Sequence, residues 1–300
     1  MTSSRAHALV AGFGAVGVAL LFALKPTSSP VYADAKAEAK AEASPARAKT
    51  APAPANAAKP APSTGCPSEM ARVGATCMDR YEASLLRRND DGSLVPHPNS
   101  ARPTGGVFVA VSKAGVKPQG YISQLEAASA CQNAGKRLCS LTEWYRSCRG
   151  DKNTLFPYGP TYVHGRCNVN KPHLLSLLHG SDPNAWKYDT GFNDPELDQR
   201  DGFLAETGAY KDCVSSGGVY DLVGNLHEWV ADRVDASMRD KLPLTSGIRA
   251  KLSVNQGKGV FMGGFFSTLN QHGEGCEFVT MAHEPGYHDY STGFRCCKDP

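Results

Sequence analysis

In the stretch GVYDLVGNLHEWVAD, Gly218 to Asp232, two carboxylates and a histidine, Asp221, His227 and Glu228, fall within eight positions. Such a set can do acid–base work, or the two acids can act as hard anionic ligands. Gly224-Asn225 breaks any helix and turns the backbone, so that nearby carbonyls can point inward. Calcium takes six to eight such oxygens in flexible geometry. The plainer reading is a tight turn satisfied by its own Asp and Asn, with Glu228 at the surface.

A second group lies downstream. His272, His283, Glu284, His288, Asp289 and Tyr290 crowd the last thirty residues, and His227 is a further candidate. Two histidines and a carboxylate can hold ferrous iron with open positions for oxygen. The alternative for each histidine is a polar loop residue. The run HEPGYHDY, His283 to Tyr290, has a Pro-Gly turn signal and suits an aromatic-polar binding lip. A nucleophile elbow of the form GxSxG and a phosphate loop with GK[ST] are both missing.

The ten cysteines all lie between Cys66 and Cys297, with no CxxC among them. An even count behind an export signal predicts a disulfide framework rather than a metal cluster. The export signal is residues 1–33: Arg5 and His7, an uncharged run from Ala8 to Leu24, then Val31-Tyr32-Ala33 as a cleavage site. The same run, residues 8–24, is the alternative of an uncleaved membrane tether. Residues 34–64 are rich in Ala, Pro and Lys with nothing to bury, so they read as a disordered linker. The expected location is exported: periplasmic, cell-envelope or secreted.

The elements that must position these residues occupy a single domain, residues 65–300. Its charge is nearly balanced, because the net +3 comes from the leader and linker, and nothing points to nucleic acid. Helical spacing of Ile122, Leu125, Ala128 and Cys131 predicts a helix over Ser123 to Ala134, stopped by Gly135. A second helix is expected from Leu141 to Cys148, with Thr142 capping and Glu143 in its first turn. Short strands and long loops fill the rest, and five crosslinks would compensate for the scarcity of regular structure.

Four segments in this order carry a resemblance: CMDRYEAS from Cys77, AGKRLC with TEW from Ala134 to Trp144, VYDLVGN and EW from Val219 to Trp229, and GFRC from Gly293 to Cys296. Together they resemble the formylglycine-generating enzyme family, the sulfatase-modifying-factor domain, over essentially all of residues 66–300. The resemblance implies an α+β fold related to C-type lectins, with little regular secondary structure. It implies structural calcium held by the side chains of Asp221 and Glu228 and the carbonyls of Gly224 and Leu226. It also implies that Cys131 pairs with Cys296 and Cys148 with Cys276. Elimination then leaves Cys66 with Cys77, Cys139 with Cys297, and Cys167 with Cys213. Partner exchange among Cys131, Cys139, Cys296 and Cys297 stays open at this stage.

The chain departs from the family where the chemistry lies. Aerobic members hold copper(I) on two thiolates after a Gly-Gly pair and use oxygen to convert a substrate cysteine to formylglycine. Here Gly263-Gly264 is followed by FFSTLNQHGEG, without a cysteine before Cys276. Phe265 stands where the family has serine, and His227 where it has tryptophan. Neither copper nor iron is therefore expected. The expected function is a catalytically diverged, calcium-stabilised module, a pseudoenzyme that binds an extended peptide or glycan along a groove of Phe265, Phe266, Tyr287 and Tyr290. The alternative is an oxygen-dependent oxidoreductase that uses iron on the histidines.

Overall fold

Ser-x-x-Glu occurs at Ser123/Glu126 and at Ser140/Glu143, and each pair starts a helix with a reciprocal capping box. The first helix runs Gln124–Asn133, as expected. The second runs Leu141–Arg149, and its cap is Ser140, not Thr142. Ser140 wins because its hydroxyl and backbone N–H both meet the Glu143 carboxylate, at 2.8 Å each. These facts come from a computed structural model, which describes residues 65–184, 186–268 and 272–300. The expected leader and linker, residues 1–33 and 34–64, lie outside the described residues, as does the candidate tether 8–24.

Among the described residues, eleven short strands form three sheets. The first joins β1 (Met70–Val73), β2 (Thr76–Asp79), β11 (Cys296–Lys298) and β6 (Arg137–Leu138), in that order. The second joins β10 (Thr292–Phe294), β7 (His227–Arg233), β8 (Gly259–Met262) and β9 (Val279–Thr280). The third is β4 (Leu94–Pro96), β3 (Ala83–Arg88) and β5 (Val107–Ser112). Among the described strands only β10 and β7 pair in parallel. Short helices at Leu174–His179, Met238–Lys241 and Ser246–Ala250 carry too few turns to show periodicity in the sequence.

All five expected disulfides are present: Cys66–Cys77, Cys131–Cys296, Cys139–Cys297, Cys148–Cys276 and Cys167–Cys213. Successive strand residues face opposite sides of a sheet. Cys296 and Cys297 in β11 therefore reach different partners, Cys131 in the first helix and Cys139 just before the second. That alternation resolves the exchange left open above. Among the most deeply buried side chains are Trp144, Trp229, Phe294 and, unusually, the whole of Arg295, each at most 1% exposed.

Candidate functional site

The segment 221–226 is a knot of backbone and carboxylates. Asp221 and Asn225 sit at φ 58° and Gly224 at φ 79°. Gly224 must lack a side chain, since a Cβ there would collide with the Asn168 carbonyl. Asn225 fills the turn with its own amide: Nδ2 donates to Glu82 at 2.5 Å, and Oδ1 accepts from Asn168 Nδ2 at 2.8 Å and from the Ala205 N–H at 3.0 Å. Glu82 also accepts from the Leu226 N–H at 3.1 Å. Asp221 accepts from the Gly208 N–H at 2.7 Å.

Glu228 is fully engaged. Arg295 Nε and Nη2 reach its two oxygens at 2.6 Å each, and Trp144 Nε1 donates to one of them at 2.8 Å. Arg295 in turn donates to the carbonyls of Asp79 and Tyr220. Burial, with repulsion from Asp221 and Glu228, pushes Glu82 well above the usual carboxylate range. Burial likewise raises Asp221, to about 7.

The expected calcium set does not fit this arrangement. A calcium ion would need Glu228 as an anionic ligand, yet its oxygens are held by a guanidinium and an indole. A cation already stands there, and it is Arg295. Sequence reasoning gave no role to Glu82 or Arg295, although both lie inside the segments that carry the family resemblance.

The histidines divide. His227, 7% exposed, lies against the rings of Phe261, Phe265 and Phe278, at centroid distances of 4.7, 4.9 and 5.2 Å. Its Nδ1 is buried without a hydrogen-bond partner. His283 stacks between Phe261 at 5.4 Å and Tyr287 at 4.0 Å, and His272 meets Phe278 edge-on at 5.7 Å. His288 lies apart, its Nδ1 2.8 Å from Asn193 Oδ1. Burial, assisted by the charges of His272 and His283, drives His227 well below its ordinary pKa. Burial takes His283 down to about 4. Glu284 faces Lys258 at 3.8 Å, and Asp289 accepts from Tyr287 and Ser291. Among the described residues no three His, Cys, Asp or Glu side chains converge on a metal position.

The expected groove is corrected. Phe265, Phe266 and Tyr290, at 6%, 0% and 1% exposure, are core residues packed with Tyr121, Leu174 and Leu226. Gly263 and Gly264, at φ 83° and 74°, turn the chain so that both phenylalanines point inward. Tyr287 is half-buried, held by His283 and by Asp289. A cleft of about 260 Å³ lies beside Gly263, lined by Phe156, Tyr162, Gly263, Thr268, Glu274 and Phe278 among others. Phe156 lies 5.9 Å from Tyr162 and stacks on Tyr158 at 5.5 Å. The cleft borders Gly263 of the Gly-Gly pair. No free cysteine remains, since all ten are paired.

The model of the sulfatase-modifying factor enzyme 1-like domain matches residues 76–300. The chain belongs to this family. Among curated relatives, the formylglycine-generating enzyme of Mus musculus is 31% identical over 113 residues, which is 37% of this chain and 26% of that protein. The inactive Cα-formylglycine-generating enzyme 2 of Bos taurus is 29% identical over 124 residues, 41% of this chain and 35% of that one. The matched stretches thus span about a third or less of these relatives. Among solved structures, PvdO from Pseudomonas aeruginosa aligns with TM-score 0.42 at 15% identity, over 75% of this chain and 80% of its own. The U1 variant of the Major Tropism Determinant aligns with TM-score 0.38 at 21% identity, over 80% of this chain and 54% of its own.

Proposed function

We propose that this sulfatase-modifying-factor domain is a catalytically diverged binding module, and that it holds an extended peptide in the cleft beside Gly263. One observation carries the reading: the cleft borders Gly263 of the Gly-Gly pair but offers no thiol, because every cysteine is in a disulfide. Copper(I) selects soft thiolates, so the cysteine-to-formylglycine reaction has no metal seat here. What the cleft offers is recognition. Tyr162 supplies an exposed aromatic ring and Glu274 an exposed carboxylate, over a buried floor of Phe156, Phe278 and Thr268. Rigid aromatic walls and adaptable polar loops suit an extended chain.

The low content of regular secondary structure agrees with the C-type-lectin-related architecture that the family resemblance implies. Five disulfides favour an oxidising compartment, which supports an exported module. Order in this domain then rests on crosslinks and the buried Arg295 pair rather than on calcium at Asp221 and Glu228.

The test uses the purified, oxidised chain against arrays of extended peptides and of glycans, with a cysteine-bearing peptide, copper(I) or iron(II), and oxygen in a parallel assay. Peptide binding that falls tenfold or more in Thr268→Trp, with no aldehyde formed, is the expected result. Aldehyde formation would restore the oxidase, and glycan binding alone would replace the peptide.

A further inference from the structure

Tyr81 and Tyr220 stack with ring centroids 5.1 Å apart and planes 17° from parallel, and both side chains are half-buried. Gly208 packs against the Tyr81 ring: a Cβ there would stand 2.8 Å from it, so only glycine lets the backbone come this close. Tyr210, two residues further along the same loop, is half-buried too. Tyr121, Tyr158 and Tyr287 use their hydroxyls in hydrogen bonds within the fold. Those of Tyr81, Tyr210 and Tyr220 engage no other described residue. Partly open aromatic faces with unspent hydroxyls form a ledge that the core does not use.

The described chain enters beside this ledge. The Glu69 carbonyl accepts from the Arg80 N–H at 3.0 Å, and the Ser112 hydroxyl, which accepts from the Tyr81 N–H at 3.1 Å, lies 3.5 Å from the same carbonyl. The Ser68 carbonyl accepts from Arg80 Nε at 3.3 Å, and the Tyr220 N–H donates to the Arg80 carbonyl at 2.8 Å. Ser68 and Glu69 are thereby fixed to the backbone that carries both rings. From Ser68 back to Gly65 is three residues, a span of at most about 11 Å. Upstream of that point the sequence is APAPANAAKPAPS, residues 51–63, with Pro52, Pro54, Pro60 and Pro62. Prolines and alanines are the only apolar groups this segment has to offer.

We propose that residues 51–63 dock on the ledge of Tyr81 and Tyr220 as a polyproline II strap, which folds the linker back on its own domain. Proline-rich chains seat their rings on aromatic faces, and this helix is preformed, so ordering it costs little. It makes no internal hydrogen bonds, which leaves its carbonyls to accept from tyrosine hydroxyls. Charge agrees with this occupant. Lys59 is the one charge of the segment, and the loop that carries Gly208 and Tyr210 presents Glu206 and Asp212, both exposed and without an ion pair among the described residues. Attachment through the chain raises the effective concentration of the strap to the millimolar range, so even a weak contact is occupied. A docked strap confines the spacer role to residues 34–50.

The test uses the full chain with isotope-labelled tyrosine rings, read by NMR. Expected are Tyr81 and Tyr220 ring signals that differ between wild type and a variant carrying Pro52→Ala, Pro54→Ala, Pro60→Ala and Pro62→Ala, with the Tyr145 signal unchanged. All four substitutions lie upstream of the described domain and leave its core untouched. A synthetic peptide of residues 51–63 added to that variant should bring the wild-type signals back, half-way at or below about 1 mM, the effective concentration that a short linker supplies. With Tyr220→Ser added to the variant, the peptide should no longer move the Tyr81 signal. Identical ring signals in wild type and the proline variant overturn the proposal, as does a peptide that leaves them in place or one that still moves Tyr81 beside Tyr220→Ser. A difference that grows with protein concentration also overturns it, because the ledge would then take the linker of a second copy.

Discussion

Arg295 and Glu228 form a two-pronged ion pair, 2.6 Å at each prong, with both side chains at most 1% exposed. The pair ties β7 to the connection between β10 and β11, which carries Cys296. Breaking one side leaves a buried charge without its counter-ion, which costs about 3–5 kcal/mol. Glu228→Gln and Arg295→Met should each lose roughly that much in denaturant unfolding. The double variant should lose less than the sum of the two, because it leaves no orphaned charge. Additive losses would show that the two groups are not coupled.

Much of this was legible in the sequence, and the reasons differ by residue. The helix at Gln124–Asn133 and a framework of five disulfides could be stated beforehand, because capping, spacing and segment order are local or shared with the family, whereas partner choice among Cys131, Cys139, Cys296 and Cys297 needed the fold. The shift of the second cap from Thr142 to Ser140 is a choice between adjacent hydroxyls that only the reach of Glu143 decides. Phe265 and Phe266 looked like groove residues, because sequence does not reveal which way a double-glycine turn faces. Glu82 and Arg295 are separated by more than two hundred residues, and only the fold brings them to Asn225 and Glu228.

His283 and His227 should make the protein sensitive to acid. Burial depresses both, His283 to about 4, whereas an unfolded histidine titrates near 6.5. The unfolded chain therefore binds more protons below that pH, and the neutral rings stabilise the fold fully only above about 6.5. Their contribution falls as pH drops from 6.5 toward 4. Asp221 and Glu82, raised rather than lowered, work in the opposite direction. The histidine effect is thus read as a difference: Tm of His283→Phe and His227→Phe should fall less steeply than wild type between pH 6.5 and 4. Parallel profiles would mean that these rings already carry protons in the fold.

The disulfides should not be equal. Cys131–Cys296 closes 165 residues and Cys66–Cys77 closes 11. In the chain-entropy model the restriction of the unfolded state grows with the logarithm of loop length, which puts the difference at about 2 kcal/mol. Replacing Cys131 and Cys296 together by Ala should lower the unfolding free energy by that much more than the same change at Cys66 and Cys77. Equal losses would assign the stabilisation to local packing instead.

Two glycines provide a matched pair of substitutions for testing the loop 221–228. At Gly224 the backbone has φ 79° and a Cβ would strike the Asn168 carbonyl, which belongs to the backbone and has no rotamer to yield. At Gly286 a Cβ would meet nothing within 4 Å. Gly224→Ala should therefore cost about 2–4 kcal/mol through combined strain and displacement of Asn168. Gly286→Ala should be neutral or stabilise by roughly 0.4–1 kcal/mol through the unfolded chain. Unfolding curves of the two variants at neutral pH measure the contrast. A Gly224→Ala protein as stable as wild type would mean that the loop can open away from Asn168, and would free its carbonyls for a ligand after all.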